Sequence, residues 1–203
     1  MLPGVSNVRA VNRLAARARA CQECAPSLPH EPRPVFQVHA DARVLIVGQA
    51  PGARVHESGV AWDDKSGERL RSWLGVDEAT FYDPKTLALL PMGFCFPGRG
   101  RSGDLPPRPE CAPLWMDRFI EKLEHIELTI LIGRYAQDRF LGDRTKKTLT
   151  ETVRAWREFS REKIWVLPHP SPRNNIWLRK NPFFVEELVP KLQRAVGRAI
   201  RSA

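Results

Sequence analysis

Apolar residues along this chain fall into two patterns. Short apolar runs occur at Val44 to Val47, at 87–95 (LALLPMGFC), at 128–133 (LTILIG) and within 163–171 (KIWVLPHPS), a strand that runs into a loop. Runs of this length bounded by Gly and Pro read as strands buried on both faces, as in a parallel sheet. Gly48, Pro51 and Gly52 end the first run, and Pro91 breaks or edges the second. Between the runs, apolar residues recur at helical spacing over 5–20, 66–75, 114–126, 134–142, 148–162 and 182–200. Ser66 reads as the N-cap of the second helix and Gly75 as its stop. Residues 97–113 form a long Pro/Gly/Arg loop. Strands alternating with helices predict βα crossovers and a mostly parallel sheet. With no internal repeat, residues 1–203 read as one domain.

Composition narrows the partners. The chain is 42% hydrophobic and 27% charged, ordinary for a soluble globular protein. No run of 18 apolar residues exists, so no membrane span is expected. The start MLPGVSNVRAV has no apolar secretory stretch, and a cytosolic location is expected. The net charge of +9, mostly arginine, suits a polyanionic partner such as DNA, because phosphate neutralisation releases counterions. A general arginine bias in the source proteome gives the same number.

All four cysteines follow one spacing. Cys21 and Cys24 form C-x2-C, and Cys95 and Cys111 are separated by fifteen residues. In a reducing compartment disulfides are rare, so this set reads as ligands. Tetrahedral zinc and an iron–sulfur cubane both accept four thiolates. Four unrelated buried thiols are the plain alternative.

The motifs, taken in order, resemble the uracil-DNA glycosylase superfamily. They are GQAPG at 48–52, GVAW at 59–62, Gly67 and Leu70, Cys95 and Cys111, and His169-Pro170. The nearest branch is the iron–sulfur one, often called family four, whereas HPSPRN at 169–174 resembles the motif of the single-strand-selective branch. The resemblance covers about residues 8–197. It implies a three-layer α/β/α sandwich around a short, mainly parallel four-stranded sheet. It also implies a 4Fe–4S cluster on Cys21, Cys24, Cys95 and Cys111, with zinc as the alternative. The implied reaction is hydrolysis of the N-glycosidic bond of uracil or a related deaminated base in DNA.

Site residues carry over position by position. His169 would stabilise negative charge on the departing base. Trp62 stands where the family has a stacking phenylalanine, and an indole face can hold a flipped base. Gln49 matches a pocket position, as both a catalytic and a base-contacting residue. Ala50, Pro51 and Gly52 shape a tight turn against the substrate. Ser171 would contact phosphate, with Pro172 and Arg173 filling the gap left by the flipped base. The arginine-rich stretch 99–108 would lie against DNA. No lysine is implicated as a Schiff-base nucleophile, so a monofunctional enzyme is expected.

The chain also departs from the pattern. Ala50 occupies the slot where efficient branches carry Asp or Asn to position the attacking water. The Gln49 amide cannot replace that group as a base. Glu57, Asp63, Asp64, Asn174 and backbone groups are the candidates to orient water, and Asn174 is also expected to contact the substrate. The base-reading Asn of the second strand aligns near Pro91 or Met92, which leaves uracil, hypoxanthine and xanthine open as targets. Two other readings remain: a damaged-base recognition protein of the same fold with little excision, and a zinc-stapled nucleotide-binding protein unrelated to repair.

Overall fold

The computed structural model describes residues 3–101 and 103–201. The chain runs α1 (Pro3–Arg19), β1 (Val44–Val47), α2 (Ala53–Ser58), α3 (Lys65–Leu74), α4 (Glu78–Tyr82), β2 (Leu87–Leu89), β3 (Arg99–Gly100) and β4 (Gly103–Asp104). It continues through α5 (Asp117–Ile120), β5 (Leu128–Ile132), α6 (Arg134–Leu141), α7 (Leu149–Arg154), α8 (Trp156–Ser160), β6 (Ile164–Leu167), α9 (Asn175–Lys180) and α10 (Val189–Arg201).

The four apolar runs form one parallel sheet in the order β2-β1-β5-β6. Val44 lies beside both Leu87 and Leu128, and Ile132 beside Leu167. Every residue of β1 and β2 is buried, which requires cover on both faces of the sheet and yields the α/β/α sandwich. Phe81, Phe94, Phe119, Phe159 and Phe184 are fully buried. Each contributes about 1.5–3 kcal/mol relative to an exposed ring.

The outer edge of β2 is not bare. Gln37 and Leu89 exchange backbone hydrogen bonds at 3.0 and 2.8 Å as an antiparallel bridge, and Val35 N–H donates to Phe94 O at 2.7 Å. The segment before β1 thus closes an edge that would otherwise offer unpaired amides.

Several elements differ from the sequence reading. Asp64, not Ser66, caps α3: its carboxylate accepts the Gly67 N–H at 2.8 Å, and Ser66 is buried inside the first turn. Gly75 ends the helix in the left-handed region at φ 69°, as expected. The apolar run 87–95 is strand only to Leu89, after which it loops around Pro91. The helix expected at 114–126 is a wide i→i+5 turn over Ala112–Met116 followed by only four α-helical residues. The helix at 148–162 divides at Ala155 into α7 and α8, with Thr148 and Glu151 forming a capping box at its start. The closing helix begins with another i→i+5 turn at Phe184–Leu188, next to Pro190, which has no N–H to donate. In α10, Val189, Leu192, Val196 and Ala199 face the core. Helices α2, α4 and α9 are too short and too polar to show a helical period.

Candidate active site

The order of the strands fixes where a ligand can bind. β1 has β2 on one side and β5 on the other, so the crossovers leave it in opposite directions across the sheet and open a crevice at the carboxyl end of β1. The turn Gly48–Gly52 leaves β1 at that point. It stays tied to the next crossover, because Met92 N–H donates to Gly48 O at 2.9 Å and Gly93 N–H to Gln49 O at 3.0 Å. A cleft of about 590 Å³ opens there. The turn residues Gly48, Gln49, Ala50, Pro51 and Gly52 line it together with Trp62, Asp64, Ser66, Pro91, His169, Ser171 and Arg173. Arg54 from α2 and Arg99, Arg101 and Asp104 from the β3–β4 ribbon complete its rim.

Trp62 adopts φ 59°, a left-handed backbone that costs a non-glycine residue about 1–3 kcal/mol. Two glycines hold it there. A Cβ on Gly67 would lie 1.8 Å from Trp62 O, and one on Gly48 would lie 2.9 Å from the indole ring. The ring therefore lies directly on the β1 turn. It faces the His169 imidazole with centroids 5.7 Å apart and planes 30° from parallel.

His169 leaves β6 through Pro168 and sits half-buried in the cleft. Its loop is cross-braced. Ser171 N–H donates to His169 Nδ1 at 3.2 Å, Asn174 Nδ2 donates to His169 O at 2.7 Å, and Arg69 Nη1 donates from α3 to Ser171 O at 3.2 Å. Because Nδ1 accepts a hydrogen bond, the neutral ring carries its proton on Nε2. Burial holds the His169 pKa below its ordinary value, against the opposing pull of the Asp64 and Asp104 carboxylates. The neutral imidazole is thus a hydrogen-bond donor at the foot of the cleft.

The other expected positions divide. Gln49 lies in the cleft, with Nε2 donating to Leu105 O at 3.2 Å, which ties the β1 turn to the ribbon. Ser171 and Arg173 line the cleft, while Pro172 is exposed beside it. Asn174 is not among the lining residues and braces His169 through its carbonyl. Glu57 and Asp63 also stand outside the lining, and Asp64 lies within it. Sequence reasoning missed Asp104 and Arg54 as cleft residues; it expected the arginines of 99–108 against DNA but did not place them at this cleft. A two-residue ribbon strand has no periodicity, so only the surrounding glycines Gly98, Gly100 and Gly103 hinted at a hairpin.

The four cysteines meet in a second, narrower crevice. Cys21, Cys24, Cys95 and Cys111 line it with Ala18, Phe94, Arg108 and Trp115, and all four are free thiols. Burial pushes the Cys111 thiol up to about 12 and Cys95 to about 11. The thiols are not drawn onto a common point: among the described residues no three His, Cys, Asp or Glu side chains are grouped to hold a metal ion. The chemistry of the lining nonetheless fits an anionic sulfur-ligated group. Arg108 Nε and Trp115 Nε1 are buried donors that find no partner among the described residues. Phe94 N–H already donates to Cys111 Sγ at 3.2 Å, the contact that stabilises a thiolate.

The carboxyl ends of the parallel strands thus carry an arginine-rimmed cleft in which an indole stacks on a neutral histidine. The family model of the uracil DNA glycosylase superfamily matches residues 35–193, and the chain belongs to that superfamily. Membership makes it a DNA-repair protein of the DNA glycosylase class with DNA as its substrate. The matched span contains the whole sheet and cleft and two of the cysteines, Cys95 and Cys111; it begins after Cys21 and Cys24. Among the described residues, no helix is long and apolar enough to cross a membrane.

Proposed function

We propose that the protein hydrolyses the N-glycosidic bond of uracil or a related deaminated base flipped out of DNA, without lyase activity. The observation that carries this reading is the Trp62–His169 pair, stacked at 5.7 Å within the cleft at the switch point of the sheet. The flipped base lies against the indole face, where stacking contributes about 1–3 kcal/mol. The neutral His169 imidazole donates a hydrogen bond from Nε2–H to a carbonyl oxygen of the base (O2 in uracil) as negative charge collects there. Being uncharged, it leaves the field of the cleft to the arginines that bind phosphate. Arg54, Arg99, Arg101 and Arg173 neutralise the DNA backbone around the cleft mouth. These cations are arginines, which form no Schiff base, in keeping with simple hydrolysis.

Cys21, Cys24, Cys95 and Cys111 would hold a 4Fe–4S cluster, with zinc the alternative four-thiolate occupant. When bound, the group supplies a crosslink between the end of α1 and the segments that flank the ribbon; hydrolysis needs no electron from it. Arg108 and Trp115 would donate to its sulfur.

An excision assay tests the reading. Single- and double-stranded oligonucleotides carrying uracil, hypoxanthine or xanthine are incubated with the protein and then cleaved with alkali. The expected result is cleavage at one of these bases, reduced about 10²–10³-fold in His169→Ala, the loss typical when one charge-stabilising donor is removed. A second reading is favoured by Ala50, which leaves the β1 turn without a carboxylate: recognition of a damaged base without excision. Tight, base-dependent binding with no cleavage would decide for it.

A further inference from the structure

The glycosylase reading leaves the attacking water without a partner, because Ala50 supplies none. Two carboxylates line the cleft, Asp64 and Asp104, and both act electrostatically on His169. They are not equivalent. Asp64 is the N-cap of α3, with Oδ1 accepting the Gly67 N–H at 2.8 Å, and it is fixed by the helix it starts. The Asp104 carboxylate, among the described residues, accepts no hydrogen bond and forms no ion pair.

The ribbon that carries Asp104 is pinned to the β1 turn. Gln49 Nε2 donates to Leu105 O at 3.2 Å, the carbonyl next in the chain, and Leu105 N–H donates to Gly98 O at 2.9 Å to close the hairpin. Asp104 Oδ2 consequently stands 3.5 Å from the point where a Cβ on Gly52 would be. Arg173 Nη1, from the loop of His169, lies 2.8 Å from the corresponding point on Gly103. The ribbon therefore bridges the β1 turn and the loop of His169, and its carboxylate faces the space between them.

We propose that Asp104, delivered from the β3–β4 ribbon rather than from the β1 turn, is the catalytic base of this protein. This rests on the glycosylase reading above. The carboxylate accepts a proton from a water molecule whose oxygen forms the new bond to the sugar C1′. The C1′–N bond breaks, and its electron pair leaves with the base, whose carbonyl oxygen accepts a hydrogen bond from the His169 Nε2–H without proton transfer. The proton taken up by Asp104 returns to solvent, and the base is released after protonation. Gln49, an amide and no base itself, is a positioning residue: its bond to Leu105 O holds the ribbon over the cleft.

The test uses the full-length protein in single-turnover excision of whichever base the unmodified protein cleaves. Affinity is measured on DNA carrying a 2′-fluorinated, uncleavable nucleotide of that base. Asp104→Asn keeps the shape of the side chain, and its ribbon site is exposed. The expected result is an excision rate lower by about 10²–10³-fold with affinity changed by less than threefold, the size of effect general bases have. Glu57→Gln, outside the cleft, is expected to stay within twofold of the unmodified protein in both. An Asp104→Asn rate within threefold of the unmodified protein overturns the inference. So does a loss of affinity equal to the loss of rate, which would make Asp104 a DNA-positioning group. A larger loss in Asp64→Asn than in Asp104→Asn overturns it in favour of Asp64. If the unmodified protein excises no base, the glycosylase reading fails and the inference with it; excision that survives in Asp104→Asn removes the inference alone.

Discussion

Replacing Gly67 by alanine tests the link between backbone geometry and chemistry. The new Cβ would stand 1.8 Å from Trp62 O, more than 1 Å inside the 3.0 Å below which something must shift. The obstacle is backbone on both sides, so no flexible side chain can yield. Gly67 also donates to Asp64, so moving α3 outward strains the cap that starts it. Overpacking of this kind costs about 1–3 kcal/mol, and weakening the cap adds about 1 kcal/mol. Moving Trp62 instead slides its indole off Gly48 and away from His169. A displacement near 1 Å in a positioned group can cost about 10²-fold in rate. The prediction is therefore a double effect: urea unfolding shows a loss of about 2–4 kcal/mol, and single-turnover excision falls about 10²-fold in protein still folded at low temperature. A Gly67→Ala protein with stability within about 0.5 kcal/mol of the original and an unchanged rate would refute the argument that this glycine sets the position of Trp62.

Two further outcomes are expected. On the proposed cluster reading the purified protein carries iron and sulfide and absorbs in the visible, and Cys111→Ala is expected to lose both; unchanged metal content would remove Cys111 as a ligand, and zinc in place of iron would decide between the two occupants. For pH, folding favours neutral His169 because burial lowers its pKa from 6.5. That contribution is complete above 6.5 and is lost as pH falls from 6.5 through the depressed folded value. His56, lowered by burial and by His30 and Arg33, acts in the same direction. Thermal unfolding should therefore drop between pH 7.5 and pH 5, and by less in His169→Ala; equal drops in the two proteins would contradict the sign assigned to His169.

The sheet and half of the site were legible because each rested on a strong local signal. Continuous apolar runs gave β1 and β5 within a residue and the start of β6 within one, and Gly48–Gly52 and His169–Pro170 marked the ends of two of them. The sequence reading failed where tertiary geometry overrides local preference. Ser66 is a good capping residue, yet the chain starts α3 from Asp64 because Gly67 must pass under Trp62 O. Helix 148–162 has one amphipathic period but breaks at Ala155, where Trp156 and Trp165 stack at 5.4 Å. Asp104 could not be found from its neighbours, since RGRSGDLPPR looks like a solvated loop until Gln49 fastens it across the β1 turn.

The left-handed backbone at Trp62 has an evolutionary side. A residue held in that conformation lowers the stability of the fold, and glycine or asparagine would adopt it more readily. Selection for heat resistance alone would therefore drift away from tryptophan at position 62. On the proposed reading, selection on the base held in the cleft keeps an indole there, so the two pressures pull one codon in opposite directions.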